Sequence, residues 1–138
     1  MRLLLDTQCW LWMETTPERL SDRALELVGS GDQELLLSAV SSWEIAIKYA
    51  IGKLPLPLPP AQYVPDRMRR SGIAPLPVLH THALRVAELP PHHRDPFDRM
   101  LVAQVQCDDL ILLTADSLLR QYDVPIEWAG SPYPSSAR

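Results

Sequence analysis

Three features of the sequence predict an α/β fold of three layers with a mainly parallel central sheet. Short continuous apolar runs, such as Leu3-Leu4-Leu5 and Leu110-Ile111-Leu112-Leu113, suit strands buried on both faces. Segments of helical periodicity separate the strands, and that alternation favours helices on both sides of a parallel sheet. Two of the runs lead into an acid, Asp6 and Asp116, at the strand edge where open α/β sheets present ligand-binding residues.

The first strand, residues 3–5, passes through Asp6-Thr7 into a helix expected to reach about residue 13. Position alone leaves Asp6 equally open to a site role and to a role as N-cap of that helix. Trp10 and Trp12 are expected in the core or on a partner surface. A helix over 21–28 follows, with Ser21 as N-cap and Leu25 and Val28 inward, and Gly29-Ser30-Gly31-Asp32 breaks it. Residues 34–37 read as the second strand. Ser38 is the expected cap of a helix to about residue 51, with Gly52 as C′ residue and Val40, Trp43, Ile47 and Ile51 as its inner stripe. Glu44 lies beside that stripe. It has i,i+4 spacing to Lys48 and capping-box spacing to Ser41. A helix start at Ser38 excludes the box, and the apolar neighbours then favour a site role for Glu44.

The Leu-Pro repeat over 54–60 excludes helix and central strand and reads as a stiff extended connector. A helix over 61–70 is expected next, kinked or delayed by Pro65. Its Arg67, Arg69 and Arg70 suit the C-terminal end of a helix dipole, which makes a solvated face the default reading and an RNA-facing patch the sharper one. Pro75 and Pro77 confine any strand within 73–79 to a short or edge position. His80-Thr81-His82 leads into a helix over 83–88, ended by Pro90-Pro91, and neither histidine has a convincing zinc partner. Asp95 is a good N-cap for the next helix, and Pro96 suits its first position. Phe97, Met100, Leu101 and Val105 mark its core side. Asp98 sits in the first turn, where the positive end of the helix dipole favours an ionised carboxylate. Residues 110–113 are the clearest buried strand. Asp116 beyond it is again equally open to site and cap. A short helix over 117–121 and an edge strand over 124–126 complete one unit spanning 1–128. A flexible tail over 129–138, small and polar from Gly130 onward, is expected to follow.

The length of 138 residues fits a single core. The formal net charge of −4 argues against a broad electrostatic grip on a polyanion, but it does not exclude a nuclease. Clustered acids can be neutralised by a divalent metal, whose charge inverts the local field. Cys9 and Cys107 read as reduced thiols. With no apolar run of membrane-spanning length and no signal peptide, a cytoplasmic protein without membrane association is expected. Asp6, Glu44, Asp98 and Asp116 can converge at the carboxyl edge of such a sheet. Their mutual repulsion then calls for a countercharge. All-oxygen ligation points to Mg²⁺ or Mn²⁺, which can activate water for in-line displacement at phosphorus.

Five segments, taken in order, resemble a known family. They are Leu-Leu-Asp-Thr at 4–7, Ser-Trp-Glu-Ile-Ala-Ile-Lys at 42–48, Gly-Lys-Leu-Pro-Leu at 52–56, His-Arg-Asp-Pro-Phe-Asp-Arg-Met-Leu-Val-Ala-Gln at 93–104, and Leu-Thr-Ala-Asp at 113–116. Through them the chain resembles PIN-domain proteins, and more narrowly the VapC-type toxins of bacterial type II toxin–antitoxin modules, to about Trp128. The resemblance implies a PIN-like fold and a Mg²⁺-dependent endoribonuclease, with Mn²⁺ as an alternative ion. It places the family's acids on Asp6, Glu44, Asp98 and Asp116, with Asp6, Asp98 and Asp116 holding the metal and Thr114 as the hydroxyl residue of the last motif. Asp95 rivals Asp98 for the third place, but a cap role would occupy its carboxylate. Arg94 and Arg99 flank the site as candidate phosphate contacts, against a reading as surface charge. Gln8-Cys9 departs from the His-Val that relatives often carry, and leaves the four acids in place. The resemblance also implies an antitoxin that inserts a segment into or near the acidic pocket, and a homodimer.

Other chemistries compete with this reading. His80, His82, His92 or His93 offers acid and base groups for a metal-independent ribonuclease. A degenerate PIN-like fold would serve as a non-catalytic binding module, although the presence of all four acids argues against degeneration. A phospho-receiver domain needs a lysine at a late strand end, and the chain has none after Lys53.

Overall fold

The computed structural model describes residues 1–130. Five strands form its sheet: β1 (Arg2–Leu5), β2 (Glu34–Ser38), β3 (Ile73–Leu76), β4 (Ile111–Thr114) and β5 (Ile126–Trp128). Their order is β3-β2-β1-β4-β5, and every pairing is parallel. The helices are α1 (Thr7–Thr15), α2 (Asp22–Gly29), α3 (Ala39–Ala50), α4 (Pro60–Ser71), α5 (His80–Arg85) and α6 (Pro96–Asp108). The three-layer α/β fold expected from the sequence is the one observed.

The leucine runs account for the layering. Successive strand residues point to opposite faces, so Leu3, Leu5, Leu35, Leu37 and Leu113 meet Trp10, Ala24, Ile45 and Tyr63 on one side. Leu4, Leu36 and Leu112 meet Leu101, Val102 and Val105 of α6 on the other. The registers Leu4↔Leu36 and Leu4↔Leu112 hold this alternation across the sheet centre. Parallel strands in register place all strand C-termini on one edge, and Asp6 and Asp116 come to lie there.

Several expectations need correction. In α3 the buried residues are Val40, Ser41, Glu44 and Ile45, whereas Trp43 and Ile51 are 61% and 60% exposed. The helix turns polar groups inward because this side borders α1, where Thr7 Oγ1 donates to Ser41 Oγ at 2.7 Å. Trp43 instead meets Phe97 edge-on, ring centres 5.3 Å apart. In α2 the deeply buried pair is Ala24 and Leu27, with Leu25 and Val28 at the margin. Pro65 neither delays nor ends α4. The helix expected over 83–88 begins at His80 and gives way to a 3-10 turn at Val86–Glu88. The last strand lies two residues later than expected. Pro125 has no N–H, and its carbonyl accepts from Leu112 N at 2.9 Å before β5 begins. Ala129, placed in the expected tail, is fully buried and its N–H donates to Thr114 O at 2.8 Å. Gly130 is also buried, and the rest of that tail lies outside the described residues. Both cysteines are free, and no described helix is long and apolar enough to cross a membrane.

A polar tie through a buried histidine joins α5 to α6. His82 is 1% exposed; its Nδ1 accepts from Leu79 N at 3.0 Å, so Nε2 carries the proton and donates to Asp108 Oδ2 at 3.0 Å. Asp108→Ala leaves that N–H unpaired and should cost about 1–3 kcal/mol. Urea denaturation checks this, and an unchanged midpoint would reject the tie as a source of stability.

Candidate metal centre

All the acids but Glu44 are set by the start of a helical segment. Asp6, the residue after β1, caps α1: its Oδ1 accepts from Gln8 N at 2.8 Å. Its Oδ2 accepts from Thr114 Oγ1 at 2.6 Å. The same Thr114 oxygen accepts from Asp116 N at 3.0 Å. Asp116 caps the turn at Ser117–Gln121 through Oδ1, which accepts from Leu118 N at 3.0 Å. Asp95 caps α6, with Oδ1 accepting from Phe97 N at 2.8 Å and from Asp98 N at 3.4 Å. Asp98 projects from the first turn of α6. Glu44 reaches in from α3, its Oε2 accepting from Lys48 Nζ at 2.5 Å. Asp6, Glu44, Asp95, Asp98 and Asp116 line a single cavity.

Crowded, desolvated carboxylates resist ionisation. Burial is the main force raising the Asp98 pKa to about 8, with Asp6, Asp95, Glu44 and Asp116 adding repulsion. Burial also raises that of Asp6, outweighing the hydrogen bonds from Thr114 and Gln8, and Asp116 and Glu44 push the same way. Burial, with Asp6 beside it, holds the Cys9 thiol far above its ordinary range, so this cysteine is no nucleophile at neutral pH.

His93 is a member of the cluster that the sequence reading treated only as a rival catalyst. Its Nδ1 accepts from Asp95 N at 3.0 Å, so Nε2 bears the proton. That nitrogen lies 2.8 Å from Asp116 Oδ2 and 3.2 Å from Asp98 Oδ2. One ligand atom from each of His93, Asp98 and Asp116 falls within 4.8 Å of the others. The signal in the sequence is its place two residues before the capping aspartate, from which a ring can fold over the first helical turn. The other histidines lie elsewhere: His82 bonds to Asp108, His92 meets Tyr122 edge-on at 5.0 Å, and His80 is exposed.

The cluster suits a hard divalent cation. Its donors are mainly carboxylate oxygens. Glu44 is 6% exposed, and its Oε1 is buried without a hydrogen-bond partner. An orphaned anionic oxygen facing a group of acids is a place for positive charge.

The expected phosphate contacts fare differently. Arg94 is exposed and does not line the cavity. Arg99 is held by carbonyls: Nη1 donates to Pro90 O at 3.0 Å and to Tyr122 Oη at 3.1 Å, and Nη2 to Val86 O at 3.1 Å and Leu89 O at 3.4 Å. The guanidinium thus forms a structural clasp on these groups. Its fork geometry cannot be matched by an ammonium, so Arg99→Lys should destabilise the fold by about 1.5–3 kcal/mol. A urea midpoint equal to that of the unmodified chain would reject the clasp as a source of stability.

The raised Asp98 pKa fixes a direction in pH. The unfolded carboxyl titrates near its ordinary value of about 3.9. Between roughly pH 4 and pH 8 the metal-free fold keeps a proton that the unfolded chain has lost, so stability falls as pH rises through that window. In EDTA, the melting temperature should fall more from about pH 5 to about pH 8 in the unmodified chain than in Asp98→Asn. Parallel curves for the two proteins would contradict the assignment.

Known proteins are similar in sequence and in fold. One stretch of 48 residues is 67% identical to ribonuclease VapC16 of Mycobacterium tuberculosis, a match covering 35% of this chain and 34% of that protein. The chain thus spans about a third of the length of the curated relative it matches. The fold superposes with a TM-score of 0.70 on VapBC2 from Rickettsia felis bound to a DNA fragment from their promoter, at 12% identity over 94% of this chain and 99% of that one. DNA-bound VapBC from Salmonella typhimurium gives 0.61 at 16% identity over 93% and 98%. A toxin–antitoxin complex from Klebsiella pneumoniae gives 0.54 at 17% identity over 83% and 87%. The PIN domain family model matches residues 3–125. With that match running from the first strand past the last of the acids, the chain belongs to the PIN domain family.

Proposed function

We propose that the chain is a Mg²⁺-dependent endoribonuclease, the toxin of a toxin–antitoxin pair, and that it hydrolyses RNA phosphodiester bonds in the cytoplasm. The observation that carries the reading is the buried, unpartnered Oε1 of Glu44 in the cavity shared with Asp6, Asp98 and Asp116. Such a deficit of positive charge suits Mg²⁺, or Mn²⁺ in its place. The stretch shared with ribonuclease VapC16 supports RNA as substrate. The likeness to toxin–antitoxin assemblies supports an antitoxin partner. Exposed Trp43 on α3 and Ile51 just beyond its end offer apolar surface for that partner or for a homodimer.

Asp6, Asp98 and Asp116 would hold the ion. When bound, it supplies an acidic water and offsets the charge that develops on the phosphate. Glu44 completes the shell or orients the attacking water through Oε1. Thr114 keeps Asp6 Oδ2 in place, and the His93 Nε2–H spans Asp98 and Asp116. Attack of water on phosphorus breaks the P–O3′ bond and leaves 5′-phosphate and 3′-hydroxyl ends.

The test is cleavage of total RNA by antitoxin-free protein in Mg²⁺, Mn²⁺ or EDTA. EDTA should abolish cleavage. Asp6→Asn should reduce it at least about a hundredfold, since disturbing even the groups that orient metal ligands costs up to that much. Circular dichroism should show that variant folded. Cleavage that survives EDTA would overturn the metal assignment and move the chemistry to His93.

A further inference from the structure

Both lysines of the chain, Lys48 and Lys53, line the acidic cavity, and no arginine among the described residues does. We propose that these two lysines are the phosphate grip of the site, holding a single-stranded RNA backbone beside the acids. The proposal rests on the nuclease reading and names the groups that bind its substrate.

The local sequence puts the pair there. Helix α3 ends at Ala50 with Ile51 as its C-cap, and Gly52 takes φ +76°, a conformation open to glycine without steric penalty. The chain doubles back. The Lys48 carbonyl accepts from Lys53 N at 2.8 Å and from Leu54 N at 3.2 Å, which pins Lys53 beside the last turn of the helix. Both side chains thus leave one helix end toward the same cavity.

Helix dipoles alone do not explain this placement. Cations are favoured at any helix C-terminus. At the end of α4 that preference is met by Arg69 and Arg70, which pair with Asp66 of their own helix at 3.8 Å and 3.3 Å. Lys48 also pairs with an acid of its own helix, Glu44, but that acid lines the cavity, with Asp95 and Asp98 close enough to help keep the ammonium charged. Lys53 is exposed and forms no ion pair among the described residues. One ammonium is anchored among the acids, and the other is free to meet a ligand.

The electrostatics require such groups. Five carboxylates in one cavity repel a polyanion, and a single dication offsets only part of their charge. The chain has a net charge of −4 and no excess of cations to draw RNA in. Lysine acts as a point charge, tolerant of the angle at which a phosphate approaches. That tolerance suits a flexible single strand.

The test is binding, measured apart from cleavage. Fluorescence anisotropy of a labelled mixed-sequence single-stranded RNA, with Ca²⁺ replacing Mg²⁺, follows affinity across a salt series. Four proteins are compared: the unmodified chain, Lys53→Gln, Lys53→Arg and Arg2→Gln. Arg2 is a fair control, since it pairs with Glu34 at the opposite end of β1 from Asp6. Lys53→Gln should weaken binding several-fold and lower the slope of log affinity against log salt by about 0.7, the share of one single-strand phosphate contact. Lys53→Arg should restore both, and Arg2→Gln should change neither. In Mg²⁺, Lys53→Gln should raise KM and leave kcat nearly unchanged. Unchanged affinity and slope in Lys53→Gln, an equal loss in Arg2→Gln, or no measurable binding by the unmodified chain would each overturn the proposal. RNA binding that depends on Lys53 without any cleavage would remove the nuclease reading and leave the grip standing. Cleavage with a KM indifferent to Lys53→Gln would do the reverse.

Discussion

The hydroxyl of Thr114 is the interaction on which the site depends. It is fully buried at the end of β4, beside β1 in the middle of the sheet. It donates to Asp6 and accepts from the backbone of Asp116. One oxygen therefore fixes the distance between two strand-end acids. It can do so because β1 and β4 are parallel and in register, Leu5 opposite Leu113, with Asp6 N donating to Leu113 O at 3.0 Å. An antiparallel pairing would send the two acids to opposite edges. The leucine core thus sets the register, and the register sets the site.

A cap role does not exclude a site role for these acids. A carboxylate has two oxygens. Asp6, Asp95 and Asp116 each use Oδ1 to satisfy backbone N–H groups at a helix start. In Asp6 and Asp116 the second oxygen turns inward, to Thr114 and to His93. Capping removes the rotational freedom of the side chain, so a helix N-terminus aims the remaining oxygen and its dipole helps hold the charge. The cost is visible in Asp6 and Asp98, whose carboxyls resist ionisation chiefly because they are buried, with neighbouring acids adding repulsion. Sites are commonly strained in this way, with the surrounding core bearing the cost.

The sheet was legible in the sequence because parallel strands buried on both faces leave continuous apolar runs. The capping residues were legible because Ser21, Ser38 and Asp95 sit immediately before helical periodicity. The inner face of α3 was not. Counting apolar residues chose Trp43 and Ile51, while the helix buries Ser41 and Glu44. A helix that borders a polar cavity turns part of its polar face inward, and periodicity alone cannot tell that case from a solvated face. The direction of Lys48 and Lys53 escaped for a related reason. Their spacing matches an ordinary ion pair and an ordinary helix end, and only the reversal at Gly52 distinguishes them.

Arg99 shows how a residue beside the site can serve it without facing it. Its guanidinium gathers the carbonyls of Val86, Leu89 and Pro90, the segment that carries the chain toward the acids. It also donates to Tyr122 Oη, and the same oxygen accepts from His93 N at 2.9 Å. Arg99 and Tyr122 therefore hold the backbone of His93 from behind, while Asp95 N fixes its ring through Nδ1. With both ends restrained, the Nε2–H has one direction left, toward Asp98 and Asp116. The planar fork of Arg99 suits the task of satisfying several fixed carbonyls at once, whereas recognition of a mobile phosphate is the task proposed for the lysines.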